Sequence, residues 1–285
     1  MYWAIIIQQF IASTTHIVAK NILLTVPAPL LLLLRASIAT FSYLFLLKIR
    51  KMTFKKIQKQ DLFLFIILAI LNIPVNQYLF FLSLKHTSAP NVALAYALTP
   101  AFVLIIAFFF LREKISKTKA SGIFVAIGGT MLILFEKGLD FKSDNFYGNI
   151  LALLASLAWA VYTIIGKRFV VKYGAIYTTF LAMGMGLIAF LPIFFLSGVD
   201  FDIAAFSTID WMQIFYLGVI TSGVAYVLWY VALKRLEASK LAVFNNLQPI
   251  LTTIMAIIFF GHELTALFVL GGCLTLSGVF ITQRG

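Results

Sequence analysis

The feature that most constrains this chain is the recurrence, from one end to the other, of apolar runs about as long as the ~20 residues of helix that cross a bilayer. The run from Pro29 to Leu47 carries a single charge, Arg35. With 62% hydrophobic and 11% charged positions, the chain lacks the polar groups to cover itself in water, so lipid is its solvent. Unpaired backbone groups cannot face hydrocarbon, which leaves helices or a closed barrel. Continuous apolar runs lack the alternation of barrel strands, so an all-α membrane protein is expected.

Breaks between the runs predict ten transmembrane helices, at 2–21, 28–48, 61–84, 90–111, 119–136, 146–166, 174–197, 211–233, 240–260 and 265–283. Their charges give an orientation. With a cytoplasmic N-terminus, the inner segments collect Lys48, Arg50, Lys51, Lys55, Lys56 and Lys59, then Arg112, Lys114, Lys117 and Lys119, then Lys167, Arg168 and Lys172, then Lys234, Arg235 and Lys240, and finally Arg284. The outer segments hold Lys20, Lys85, Lys137 and Lys142, and the loop with Asp200, Asp202 and Asp210 has no basic residue. Both termini are therefore predicted to be cytoplasmic. The net charge of +12 serves topology, and no nucleic-acid partner is expected. The lone Cys273 excludes an internal disulfide and reads as a small helix residue. The N-terminus lacks a basic leader and a small-residue cleavage pattern, so the first span is expected to stay.

Two stretches repeat. Leu84-Lys85 through Ala93 to Leu98-Thr99-Pro100 matches Leu233-Lys234 through Ala242 to Leu247-Gln248-Pro249 at an offset of 149. Glu113 and Glu263, Gly122 and Gly272, and Gly128 and Gly278 follow at 150, and Lys20 and Lys167 end the first helix of each half. Five helices is an odd number, so a second copy must start on the opposite side of the membrane. Inverted repeats of this kind recur in secondary transporters that bind substrate near the midplane.

On Arg35, the paired Lys-x-x-x-Ala…Leu-x-Pro segments, the Glu after the fourth and ninth spans, the paired glycines of the fifth and tenth, and Trp159…Lys167, the chain resembles the drug/metabolite transporter superfamily, in particular its ten-helix EamA-type members. Ala12 departs from the pattern, standing where the second half has Trp159. The resemblance implies EamA-like repeats over 1–137 and 146–285 in a cytoplasmic-membrane carrier of small metabolites, often an exporter of amino acids or related compounds.

Polar groups at membrane depth mark where a substrate would bind. The candidates are His16 in the first span, Asn76 and Gln77 in the third beside Asn72, Tyr96 in the fourth, Trp159 and Tyr162 in the sixth, Tyr226 and Tyr230 in the eighth, and Asn245 in the ninth. Ser222, Tyr226 and Tyr230, four apart, are predicted to form one stripe, and Asn72 and Asn76 to share a face. Arg35 either snorkels to the outer surface or faces the cavity, where it favours carboxylates. The expected cavity lies between the first, third, fourth, sixth, eighth and ninth spans. The acidic residues all fall at span ends or in loops, which argues against a carboxylate-driven cation antiporter. Glu113 and Glu263 read as helix-end stabilisers. The fifth and tenth helices are expected to pack through their glycines, on each other or on another subunit, and Gly184 and Gly186 to loosen the seventh. No cofactor or metal is expected, and the unit is a monomer or weak homodimer. A channel or lipid-handling protein is the alternative; an intramembrane enzyme would need a nucleophile–base pair or metal ligands that the motifs do not supply.

Overall fold

The computed structural model describes residues 2–51, 56–111, 116–134, 144–200, 202–236, 238–261 and 265–284. Glu113 and Glu263 lie outside them, as do Lys55, Arg112, Lys114, Lys137 and Lys142. The elements are α1 (Tyr2–Ile22), α2 (Ala28–Ile49), α3 (Lys59–His86), α4 (Ala89–Phe110), α5 (Lys117–Leu134), α6 (Asp144–Tyr173), α7 (Ala175–Leu196), α8 (Thr208–Leu233), α9 (Leu247–Phe260) and α10 (Ala266–Arg284). A short helix, Ala238–Ala242, and a 3₁₀ turn, Val243–Asn246, lead into α9. There is no strand among the described residues.

Six helices are long and apolar enough to cross a membrane: α2, α3, α4, α6, α7 and α8. Shorter apolar helical stretches run over Phe244–Phe259 and Ala266–Thr282. Large apolar side chains cover the outside as well as the core, and polar side chains are enclosed among the helices. Phe124 and Ile258 are 75% and 70% exposed, while Asn72, Gln77 and Arg35 are buried. Apolar side chains outside and amides inside are what a lipid solvent selects.

The helices bend and break at matching places. In α3 the segment Leu71–Gln77 is π-helical and contains Pro74, and the N–H of Tyr78 reaches five residues back to Ile73 O. In α8 the segment Tyr216–Val224 is π-helical, and the N–H of Ala225 reaches back to Ile220 O. Gly223 lies 149 positions after Pro74. Pro lacks the N–H that the α-ladder needs and Gly holds the ladder weakly, so each yields at the same point. Likewise α4 breaks at Leu98 before Pro100, and α9 begins at Leu247 before Pro249. Lys20 donates to Leu84 O and Thr87 O at the end of α3; Lys167 donates to Leu236 O at the end of α8. Each ammonium thus answers unpaired carbonyls at a helix C-terminus.

The sixth helix corrects one expectation. It continues past 166 to Tyr173, so Lys167, Arg168 and Lys172 stand on the helix rather than in a loop. The cause is Asp61 at the start of α3, whose side chain is fully enclosed. Arg168 reaches it at 3.2 Å, Lys172 forms a second ion pair, and the Tyr173 hydroxyl donates to it at 2.7 Å. Cations on a helix end and cations in a loop look alike to hydropathy, so only the partner distinguishes them.

The glycines of α5 and α10 pack these two helices on each other within the chain. A Cβ on Gly122 would sit 2.5 Å from Gly278 O, and one on Gly129 would sit 2.6 Å from Gly271 O. Backbone in the way cannot rotate aside. Gly122→Leu is therefore expected to destabilise the protein by roughly 1–3 kcal/mol, read as a lower thermal midpoint in detergent, while Gly128→Leu, with nothing near its Cβ, leaves the midpoint in place. In α7 the helix is continuous through Gly184 and Gly186, and Gly186 admits α3, since a Cβ there would meet Ala69 O at 2.7 Å.

Candidate functional site

Side chains that hydrocarbon would penalise converge on a cavity. It offers about 70 Å³ to the centres of water molecules, space for several waters at roughly 10–15 Å³ each. From α1 come Gln8, Ala12, Thr15 and His16, and from α2 comes Arg35. Helix α3 gives Asn76, Gln77 and Phe80, α4 gives Tyr96, and α6 gives Trp159. The remaining wall is Thr221, Ala225 and Tyr226 of α8 and Gln248 of α9. Among the described residues no aspartate, glutamate or lysine lines it.

Three polar groups of contacts hold this wall. In the first, Gln9 Nε2 donates to Asn245 Oδ1 at 2.9 Å, and Gln248 Nε2 donates to Gln9 Oε1 at 2.7 Å. With its nitrogen so used, Gln248 Oε1 accepts from His16 Nε2 at 3.2 Å, which leaves His16 Nδ1 as a buried acceptor without a partner. In the second, Asn76 Nδ2 donates to the Tyr96 hydroxyl at 2.7 Å and to Ala155 O at 2.8 Å, fixing α3 to α4 and α6. Gln77 Nε2 donates to Asn72 Oδ1 at 3.1 Å. In the third, Arg35 Nε donates to Ser222 Oγ at 2.6 Å, and the Tyr43 hydroxyl lies 2.6 Å from both Ser222 O and Gly223 O. Those carbonyls belong to the π-helical stretch of α8, where the regular ladder is interrupted, and Tyr43 meets them without water.

Aromatic rings close the opposite side. Trp159 stacks on Tyr162 with centroids 5.2 Å apart, meets Tyr226 edge-on at 5.2 Å and touches Trp229 at 5.3 Å. Tyr162 stacks in turn on Tyr230 at 5.4 Å. Gly166 makes this possible, because a Cβ there would run into the Tyr230 hydroxyl and ring.

Of the candidates named from sequence, His16, Asn76, Gln77, Tyr96, Trp159 and Tyr226 stand on the cavity wall. Tyr162, Tyr230 and Asn245 stand one layer behind, holding Trp159, Tyr226 and Gln248 in place. In α8, Ser222 meets Arg35 while Tyr230 stacks on Tyr162. In α3, Asn72 reaches Met183 of α7 while Asn76 faces α4 and α6. Arg35 does not snorkel; it is 3% exposed and brings α2 into the wall, a helix the sequence had left out. Gln8 and Thr221 were missed altogether, and Thr15, beside His16, and Gln248, at the repeat position of Thr99, also line the wall. Gln8, Ala12 and His16 at four-residue spacing were a usable signal, as was the repeat relation of Gln248 to Thr99.

Comparison with known proteins agrees with this architecture. The profile described as "EamA-like transporter family" matches residues 1–135 and again 146–284. An uncharacterized transporter of Archaeoglobus fulgidus is 31% identical over 234 residues, 81% of this chain and 80% of that one. The uncharacterized transporter YetK of Bacillus subtilis is 25% identical over 284 residues, 99% of this chain and 86% of its own. A solved crystal structure has the same fold, with a TM-score of 0.71 at 19% identity, over 99% of this chain and 95% of that one.

Proposed function

The chain belongs to the EamA-like transporter family, and from that premise we propose that it is a secondary carrier moving small organic metabolites, amino acids or related amphiphilic compounds, outward across the cytoplasmic membrane by alternating access. That it is an integral membrane transporter rather than an enzyme follows from the family and the apolar helices. The cavity carries the rest of the proposal. It is a small polar chamber built from both halves of one chain and surrounded by an apolar exterior. Its mixture of amides, hydroxyls, an imidazole, a guanidinium and an indole suits a ligand with both polar and apolar faces.

In this proposal ten spans form two inverted five-helix halves, over 1–137 and 146–285, with both termini cytoplasmic and a single chain as the transporting unit. Support comes from the π-helical segments, the broken helices and the lysine contacts that recur near an offset of 149, and from the basic residues concentrated on one side. The matched irregularities are hinges at which one half can rock against the other.

The test is exchange in proteoliposomes. A panel of amino acids, organic cations and nucleotide-like metabolites is offered with and without a pH gradient. Saturable flux that accelerates when unlabelled substrate is present on the far side is expected; flux that rises linearly with concentration and ignores the far side describes a pore.

A further inference from the structure

Arg35 is a fixed cation inside the membrane-spanning body with no anion to meet it. Its Nε is bonded to Ser222, and its guanidinium carbon lies 5.2 Å from the centroid of the Phe81 ring. Among the described residues no carboxylate pairs with it and no other hydrogen bond reaches it, although it lines the cavity. A buried guanidinium held by one hydroxyl and one ring face is under-compensated, and an arginine presents its remaining N–H groups as a planar fork.

We propose that Arg35 is the carboxylate-binding residue of the cavity, so that the transported compounds are organic monoanions or zwitterions bearing one free carboxylate. The inference rests on the transporter reading above and narrows its substrate class. A carboxylate matches the fork and neutralises the one fixed positive charge of the wall. A second negative charge on the ligand finds no lysine or further arginine among the described residues of the wall. It meets acceptors instead, since Gln8 Oε1 and Gln77 Oε1 belong to wall residues and are buried without a donor. Those oxygens, with the unpartnered His16 Nδ1, favour N–H or O–H groups on the rest of the ligand. Ser222 orients the guanidinium from a backbone that Tyr43 fixes, so the cation is positioned before substrate arrives.

The experiment compares matched probes on purified protein: L-phenylalanine, L-leucine and L-methionine against their amides, in which a neutral carboxamide replaces the carboxylate. Binding is followed by tryptophan fluorescence, with Trp159 on the wall as reporter, and proteoliposome exchange is measured in parallel. Wild type is expected to prefer the acids by about tenfold or more. Arg35→Gln is expected to lose that preference while leaving binding of the amides within a factor of about two. Arg35→Lys keeps the preference at reduced affinity, because charge persists without the fork. Ser222→Ala, which keeps the charge and removes only the link to α8, also keeps the preference. A merely structural Arg35 would weaken acids and amides together in Arg35→Gln, and that result overturns the proposal, as does a wild type that handles acids and amides alike. If wild type neither binds nor exchanges any probe, nor any of the wider panel above, the transporter reading itself fails and the proposal falls with it.

Discussion

Ala12→Trp is expected to stop transport while leaving the protein folded. Ala12 is the small residue on the α1 side of the cavity, and Trp159 lines the α6 side. The two are repeat partners, since the 147 positions between them equal those between Lys20 and Lys167. The chamber exists because the first half gives up the ring that the second half keeps. An indole grafted onto position 12 has about 70 Å³ of water-centre space to enter, and it fills the site rather than displacing a helix. Transport is expected to fall by about 100-fold or more, equivalent to ~2.8 kcal/mol, with stability changed by no more than the roughly 1–3 kcal/mol typical of overpacking. Ala12→Ser serves as the control and retains transport. Initial rates in proteoliposomes and thermal midpoints of the same preparations separate the two effects; an Ala12→Trp protein that transports normally places the substrate path elsewhere.

The second large effect belongs to Tyr43. Its hydroxyl lies 2.6 Å from each of two carbonyls, Ser222 O and Gly223 O, and the side chain is 2% exposed. A buried carbonyl left without a donor costs about 1–3 kcal/mol, and no water in the hydrocarbon core can replace the lost group. Tyr43→Phe is expected to lower the thermal midpoint by an amount matching about 2 kcal/mol, although the ring and its packing are retained. Because Ser222 also anchors Arg35, transport should fall with stability. A Tyr43→Phe protein as stable as wild type would mean that the π-helical segment of α8 rewinds to α and satisfies its own carbonyls.

Much of this was legible before any coordinates. Apolar run length located the helices to within a few residues except the sixth, which runs on to Tyr173, and the ninth, which begins at Leu247, because a bilayer sets the minimum length of a crossing run but not where a helix ends outside it. The paired Lys…Pro segments pointed to recurring architecture, and a helix start does fall just before each proline, at Thr99 before Pro100 and at Leu247 before Pro249. The mid-span polar residues pointed at the cavity because lipid penalises a stray amide at any position. The failures have equally physical causes. The π-helical segments Leu71–Gln77 and Tyr216–Val224 were not foreseen, and neither were the partners of their polar residues, Met183 for Asn72 and Arg35 for Ser222. Pro74 gave warning of the first irregularity; Gly223, an ordinary residue in membrane helices, gave little of the second. Arg35 could not be assigned from depth alone, since snorkelling and cavity-facing differ only in rotation about α2. Asp61 read only as an acid at the end of a span, while Lys172, its partner, lies more than a hundred positions away. Distances of that kind are tertiary and leave no local trace.

Cysteine accessibility tests alternating access at this cavity most directly, and it requires no knowledge of the substrate. Cys273 is the chain's one cysteine and is exposed on α10, so it is first replaced by serine. A new cysteine is then introduced as Ala12→Cys on the cavity wall. Membrane-impermeant methanethiosulfonate reagents are applied to right-side-out and inside-out vesicles in turn. Modification from both faces is expected, each slowed by a transported compound on the same side. Modification from one face alone under every condition, or from neither, would contradict a central cavity that opens first to one side of the membrane and then to the other.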